Sequence, residues 1–178
     1  MKEIALHILD IVENSIRAES TTIEINIFEY KTNDQLVIQI KDNGKGMDTE
    51  ILEKVCDPFY STKTVRRIGI GLSMLKQAAQ RAGGTLQIDS TPGKGTTITA
   101  TFQYSNIDRQ PLGDMASTIV TILLSNPDIR VIYHHQTDGD FFTFDSNVIK
   151  SILEGVSIRS PEVIQFIKDM IRERKNLE

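Results

Sequence analysis

Apolar residues recur along the chain with two different periods, and the changes of period divide it into elements. Ile4, Leu6, Ile8, Leu9, Ile11, Val12 and Ile16 fall at broadly helical spacing and predict an amphipathic helix over about residues 3–18. From Thr22 to Tyr30 the period becomes two: Ile23, Ile25 and Ile27 alternate with Glu24, Asn26 and Phe28, which predicts a strand with one wet face. Lys31-Thr32-Asn33-Asp34 reads as a hairpin-type turn, and Leu36, Ile38 and Ile40 mark the next strand. A short helix over 50–55 is stopped before Pro58, since a residue preceding proline is pushed away from the helical region. Met74, Leu75, Ala78, Ala79 and Ala82 give a further helix its apolar side, and Gly83-Gly84 ends it as a C-terminal cap. A strand over 85–90, a turn over Pro92-Gly93-Lys94-Gly95 and an alternating strand over 96–104 complete this half.

The stretch from Ser105 to Gly113 is polar, with one proline and one glycine, and reads as a linker over 106–113 between units at 1–105 and 114–178. Beyond it, Met115 to Leu124 reads as a helix ended by Asn126-Pro127. Two strands, 129–135 and 141–144, flank the turn signal Asp138-Gly139-Asp140. Asp145 or Ser146 caps a helix running through Leu153, and Ser160-Pro161 opens a last one. The expectation is a small separate α+β domain serving a protein partner. His134, His135, Asp138 and Asp140 read as surface polar residues of a hairpin. Neighbours on a strand point to opposite faces, so the two histidines do not readily share a metal ion. His7, near a helix start, reads in the same way as polar surface rather than a phosphoacceptor.

Composition alters this picture little. The chain has 178 residues, 39% of them hydrophobic and 25% charged, which suits a soluble globular protein. A net charge of −4 argues against a general nucleic-acid binder, because neutralising phosphates needs clustered Lys and Arg. The one cysteine forms no internal disulfide, which fits a reducing, cytoplasmic setting, and the start of the chain has no signal-peptide pattern. No apolar run approaches the roughly 18–20 residues of a membrane span. Of the 11 glycines, eight lie before residue 105, all in turns at the ends of elements.

Four segments carry candidate chemistry, in this order: Leu9 to Ser15; Asp42-Asn43-Gly44-Lys45-Gly46-Met47 at the end of a strand; Asp57-Pro58-Phe59-Tyr60-Ser61-Thr62-Lys63; and Gly69-Ile70-Gly71-Leu72-Ser73 with its continuation to Gly95-Thr96-Thr97. Glycines just ahead of a helix leave backbone N–H groups open to an anion. Together the four resemble the N, G1, F and G2/G3 boxes of the GHKL ATP-binding superfamily, which includes gyrase, Hsp-type chaperone ATPases, histidine kinases and MutL. The resemblance covers about residues 1–105. Its motifs are closest to histidine kinase catalytic domains and anti-sigma-factor-type kinases.

The resemblance implies an α/β fold, the two-layer α+β sandwich of the histidine kinase-like ATPases, with ATP and Mg²⁺ as ligands. It implies that Asp42 accepts a hydrogen bond from the exocyclic amine of adenine, with Gly44 and Gly46 letting the backbone pass the base. Asn14 then reaches Mg²⁺, and Asp10 stands where related chains carry the glutamate that activates water. Lys63, Arg67, Gly69, Gly71 and Leu72 line the phosphate side, while Thr97 or its neighbour Thr96 helps hold the water that bridges adenine. Two departures stand out. Asp10 is one methylene shorter than glutamate, and the lid between Lys63 and Gly69 is short and basic, with Arg67 where relatives usually have one more glycine. The expected function is an Mg²⁺-dependent ATP-binding regulatory protein acting as a trans-acting protein kinase or as a nucleotide-dependent switch with slow ATPase activity. A non-enzymatic scaffold that keeps the fold is the alternative. A homodimer is left open.

Overall fold

The structure is a computed structural model that describes residues 3–55 and 68–174, with side chains described from Gly71 onward in the second stretch. Among the described residues six helices and six strands follow one another: α1 (Ile4–Arg17), β1 (Thr22–Tyr30), β2 (Gln35–Asp42), α2 (Thr49–Lys54), α3 (Ile68–Arg81), β3 (Leu86–Thr91), β4 (Gly95–Gln103), α4 (Met115–Ser125), β5 (Arg130–Thr137), β6 (Phe141–Asp145), α5 (Ser146–Ile152) and α6 (Pro161–Glu173). Ser160 accepts from the Val163 N–H at the start of α6, with Pro161 in its first turn, as the sequence predicts.

All six strands form one mixed sheet in the order β3-β4-β2-β1-β5-β6. Every pairing is antiparallel except β1 with β5, which is parallel. The register carries apolar rows across the sheet. One row runs Ile98–Ile40–Ile25–Tyr133–Phe144, and the next runs Ala100–Ile38–Ile27–His135–Phe142. His135 apart, these side chains are buried in one hydrophobic core, together with Ile4, Ile8, Ile11 and Val12 of α1 and Ile119, Ile122 and Leu123 of α4. Period-two burial and the helical stripe of α1 therefore meet as the two layers of a sandwich. Among the described residues no helix is long and apolar enough to cross a membrane.

The sequence reading of a separate second unit meets a different arrangement here. β5 and β6 extend the same sheet from the open edge of β1, and their buried residues belong to the same core as those of the first half. The stretch read as a linker is a bonded strap. Tyr104 N–H donates to the Asp34 carbonyl, and the Arg109 guanidinium lies 4.7 Å from the centre of the Tyr104 ring. The Ile4 and Ala5 N–H groups donate to the Pro111 and Leu112 carbonyls at 3.0 and 2.8 Å. Glu3, at the N-cap of α1, makes no side-chain capping bond. The strap thus satisfies donors that a helix start otherwise leaves open.

Two histidines read as surface residues are buried. His135 shares the core row of Ile27 and Phe142 and is 4% exposed. Its Nε2–H donates to Glu29 Oε1 at 2.6 Å, and its Nδ1 accepts from the Tyr133 hydroxyl at 2.8 Å. His7 is 1% exposed, with Nε2 donating to Gln110 Oε1 at 2.9 Å, so it offers no accessible nitrogen to a phosphoryl donor. Burial holds its pKa below the usual histidine value.

Candidate functional site

The site is built where the end of β2 meets the last turns of α1. Asp42 stands in the core-facing row Thr96–Asp42–Ile23–Val131, at the place where that row runs out from under the helices. Its carboxylate is held from two sides. Ser15, buried on α1, donates its hydroxyl to Oδ2 at 2.7 Å, and the Gly44 N–H donates to Oδ1 at 2.9 Å. A carboxylate has about four lone-pair sites, so two remain for an incoming donor. Asp42 is half-buried, which leaves an edge open while fixing its orientation.

The glycine loop after Asp42 is locked from behind. Gly46 has φ of +67°, and a Cβ there would overlap the Thr91 carbonyl; Gly95, with φ of +109°, lies equally tightly against the Asp42 carbonyl. Gly44 presses on Ala18 and Ser20 at the end of α1. The Met47 N–H donates to Ser90 Oγ at 2.8 Å, and Ser90 Oγ lies 2.9 Å from Thr96 Oγ1. Of the two threonines considered from sequence, Thr96 is the one paired with Asp42 on the core-facing side. Thr97 pairs with Lys41 and points to the opposite face.

On α1, Asp10 and Asn14 are four residues apart and share a side of the helix. Among the described residues Asn14 Oδ1 accepts only a long bond, 3.3 Å, from Arg17. Asp10 lies against the start of α3, its carboxylate 3.4 Å from where a Cβ on Gly71 would stand. Among the described residues Asp10 has no hydrogen bond or ion pair. A Cβ on Gly71 would stand 3.2 Å from the Asp10 Cβ, tighter than an ordinary contact. Leu72 is buried in the core. Gly69 lies in the first turn of α3, while Lys63 and Arg67 fall outside the described residues.

The structure therefore gathers Asp10, Asn14, Asp42, Gly44, Gly46 and Gly71 around the α1, β2 and α3 ends. It adds Ser15 and Ser90, whose hydroxyls bond the carboxylate and its loop, and puts Thr96 rather than Thr97 opposite Asp42. Only Ser15 sat beside a recognised motif residue, and no periodicity distinguishes a serine that serves a carboxylate from one that serves solvent. Among the described residues no group of three or more His, Cys, Asp or Glu is placed to hold a metal. The arrangement fits a ligand with a donor edge for Asp42 and an anionic end near the start of α3.

Residues 2–106 match the family described as histidine kinase-, DNA gyrase B-, and HSP90-like ATPase. A putative sensor protein of Shewanella frigidimarina is 33% identical over 57% of this chain and 16% of its own length. Sensor histidine kinase YxdK of Bacillus subtilis is 31% identical over 52% of the chain and 30% of its own length. Sensor histidine kinase WalK of the same organism is 35% identical over 53% and 17%. The chain thus corresponds to under a third of each of these relatives. A solved structure described as the N-terminal domain of a DNA repair protein superposes with a TM-score of 0.56 at 19% identity, over 80% of this chain and 52% of that one. At that identity the likeness is one of fold.

Proposed function

Because the chain belongs to the histidine kinase-, DNA gyrase B- and HSP90-like ATPase family, we propose that it binds ATP with Mg²⁺ beside Asp42 and acts as a nucleotide-dependent switch on a protein partner. The single observation that carries the reading is the Asp42 carboxylate, fixed by Ser15 and Gly44 yet keeping open lone pairs at a half-buried edge. Adenine presents an exocyclic amine to such an acceptor, whereas guanine presents a carbonyl, so the same carboxylate selects the base.

Asn14 supplies an amide oxygen of the kind Mg²⁺ takes, and the phosphates and waters complete its shell. The long Arg17 bond to that oxygen costs little to break. Backbone N–H groups at the start of α3 stabilise the phosphates. Asp10 accepts the proton of an attacking water or orients it, with a shorter reach than glutamate and hence slow turnover. Switching is supported by α1 itself. The helix that carries Asp10 and Asn14 is capped by the strap leading to α4, so a shift of α1 on nucleotide binding is felt in the second half.

The test is calorimetric titration of ATP with and without Mg²⁺, for the wild type, Asp42→Asn and Ser15→Ala. Mg²⁺-strengthened binding that falls at least about tenfold in Asp42→Asn, with GTP failing to compete, is the expected result. Binding unaffected by Asp42→Asn overturns the assignment. A folded protein that binds no ATP is instead an interaction scaffold. Incubation with γ-labelled ATP separates the remaining readings: label appearing in a protein points to a kinase acting in trans, label in free phosphate to the switch.

A further inference from the structure

We infer that a second site, for a small zwitterion of the free α-amino acid type, lies between α1, α3 and the strap. It is a cavity of about 190 Å³ lined by His7, Met74, Gln77, Arg81, Asp108 and Gln110, with Ala78 at its floor. A single water needs about 10–15 Å³ on this measure, so the space suits a molecule of several heavy atoms.

Its polar lining is of two signs. Arg81 comes from the last turn of α3 and Asp108 from the strap. Among the described residues neither side chain forms an ion pair, with the other or with anything else. An anion alone would leave the carboxylate facing like charge, and a cation alone would do the same to the guanidinium. A molecule bearing both a carboxylate and an ammonium satisfies each, with the carboxylate on the Arg81 fork and the ammonium on Asp108. Met74 and Ala78 leave an apolar floor for a short side chain.

The wall behind is prepared rather than incidental. His7 is 1% exposed and fixes Gln110 through Nε2, while its Nδ1 is buried with no hydrogen-bond partner among the described residues. A buried polar atom left unpaired is unusual and needs a reason. His7 lies one turn before Asp10 on α1, so an occupant of this cavity braces the helix of the candidate ATP site against α3. The inference uses no nucleotide and stands apart from the ATP reading.

The experiment is titration of the nucleotide-free 178-residue chain with glycine and L-alanine, followed by calorimetry and by amide shifts of residues 74–81 and 106–110. N-acetylalanine and alanine methyl ester, each lacking one charge, are the controls. Saturable alanine binding that weakens at least about tenfold in both Arg81→Gln and Asp108→Asn, and in both controls, is the expected result. No saturable binding of either amino acid to the folded chain overturns the inference, as does binding unchanged in both variants. Equal binding of N-acetylalanine overturns it too, since it would reveal an anion site. Both substitutions are at exposed positions, so the fold is retained.

Discussion

Replacing Glu29 with alanine tests whether the two halves of the chain share one core. Glu29, on β1, is the point where β5 and the end of α6 are tied to the first half of the chain. Its Oε1 accepts from buried His135 at 2.6 Å and lies 3.6 Å from Arg174. Truncation leaves the His135 Nε2–H with no acceptor at a position 4% exposed, which costs about 1–3 kcal/mol. The Arg174 pair is long and partly exposed and adds about 0.5 kcal/mol at most. A loss of about 1–3.5 kcal/mol follows, or about 2–14 °C in Tm for a chain of this size. Glu29→Gln, whose carbonyl still accepts from His135, loses clearly less.

The hydrogen bond from His135, acting against burial, holds the Glu29 carboxyl below its ordinary value of 4.5. A depressed folded-state pKa gives stability that is complete above the unfolded value and is lost as pH falls through the folded one. Urea unfolding followed by far-UV circular dichroism should therefore show a gap between wild type and Glu29→Ala that does not shrink from neutral pH down to about 4.5, and that closes only in stronger acid. The whole chain should unfold in one transition. A Glu29→Ala midpoint within about 0.5 kcal/mol of wild type refutes the reasoning. So does a gap that narrows before the acid range, or a second transition belonging to residues 114–174.

Gly46→Ala should cost at least about 2 kcal/mol, from a left-handed backbone together with overlap on the Thr91 carbonyl, and should weaken ATP binding. Thermal unfolding checks this, and a variant as stable as wild type shows that the loop does not hold the conformation described. A chain cut after Gly113 should be unfolded or aggregated, because the cut bares the β1 edge and removes Ile119, Val131, Tyr133 and Phe142 from the core. A soluble 1–113 fragment with a cooperative melt would show that the first half is an independent domain.

Most elements were legible because their signals are local. The strand Thr22–Tyr30 appears with the limits its alternation gives, and Ser160-Pro161 opens a helix as capping chemistry requires. The partnership of β1 and β5 was not legible, since parallel pairing joins strands a hundred residues apart with no turn between them to announce it. The strap was mistaken for a linker because polar residues with Pro and Gly serve either purpose; only the bonds from Ile4 and Ala5 distinguish them. The histidines were within reach of the sequence. His7 stands three after Ile4 and four before Ile11, on the apolar stripe, and His135 shares the parity of Val131 and Tyr133. At the site, the motifs point to Asp42 and Asn14 as candidates and to Thr96 or Thr97 without choosing between them; the register puts Thr96 opposite Asp42, and the Ser15 bond to Asp42 shows only in three dimensions.

The strand order also explains why the strap must touch the site helix. β4 lies two strands away from β1, yet the next strand in the chain, β5, pairs with the far edge of β1. To reach it the chain must cross β2 and β1 on one face, and parallel pairing requires a crossover of this kind. α1 already covers that face, with Ile4, Ile8 and Ile11 in the core, so the crossing passes its open first turn. There the Pro111 and Leu112 carbonyls meet N–H groups that Glu3 does not cap. Capping of α1 and attachment of the second half are therefore one set of bonds. A partner that shifts the second half acts on the helix carrying Asp10, Asn14 and Ser15, and linkage requires that a ligand moving this helix alter partner affinity by the same factor.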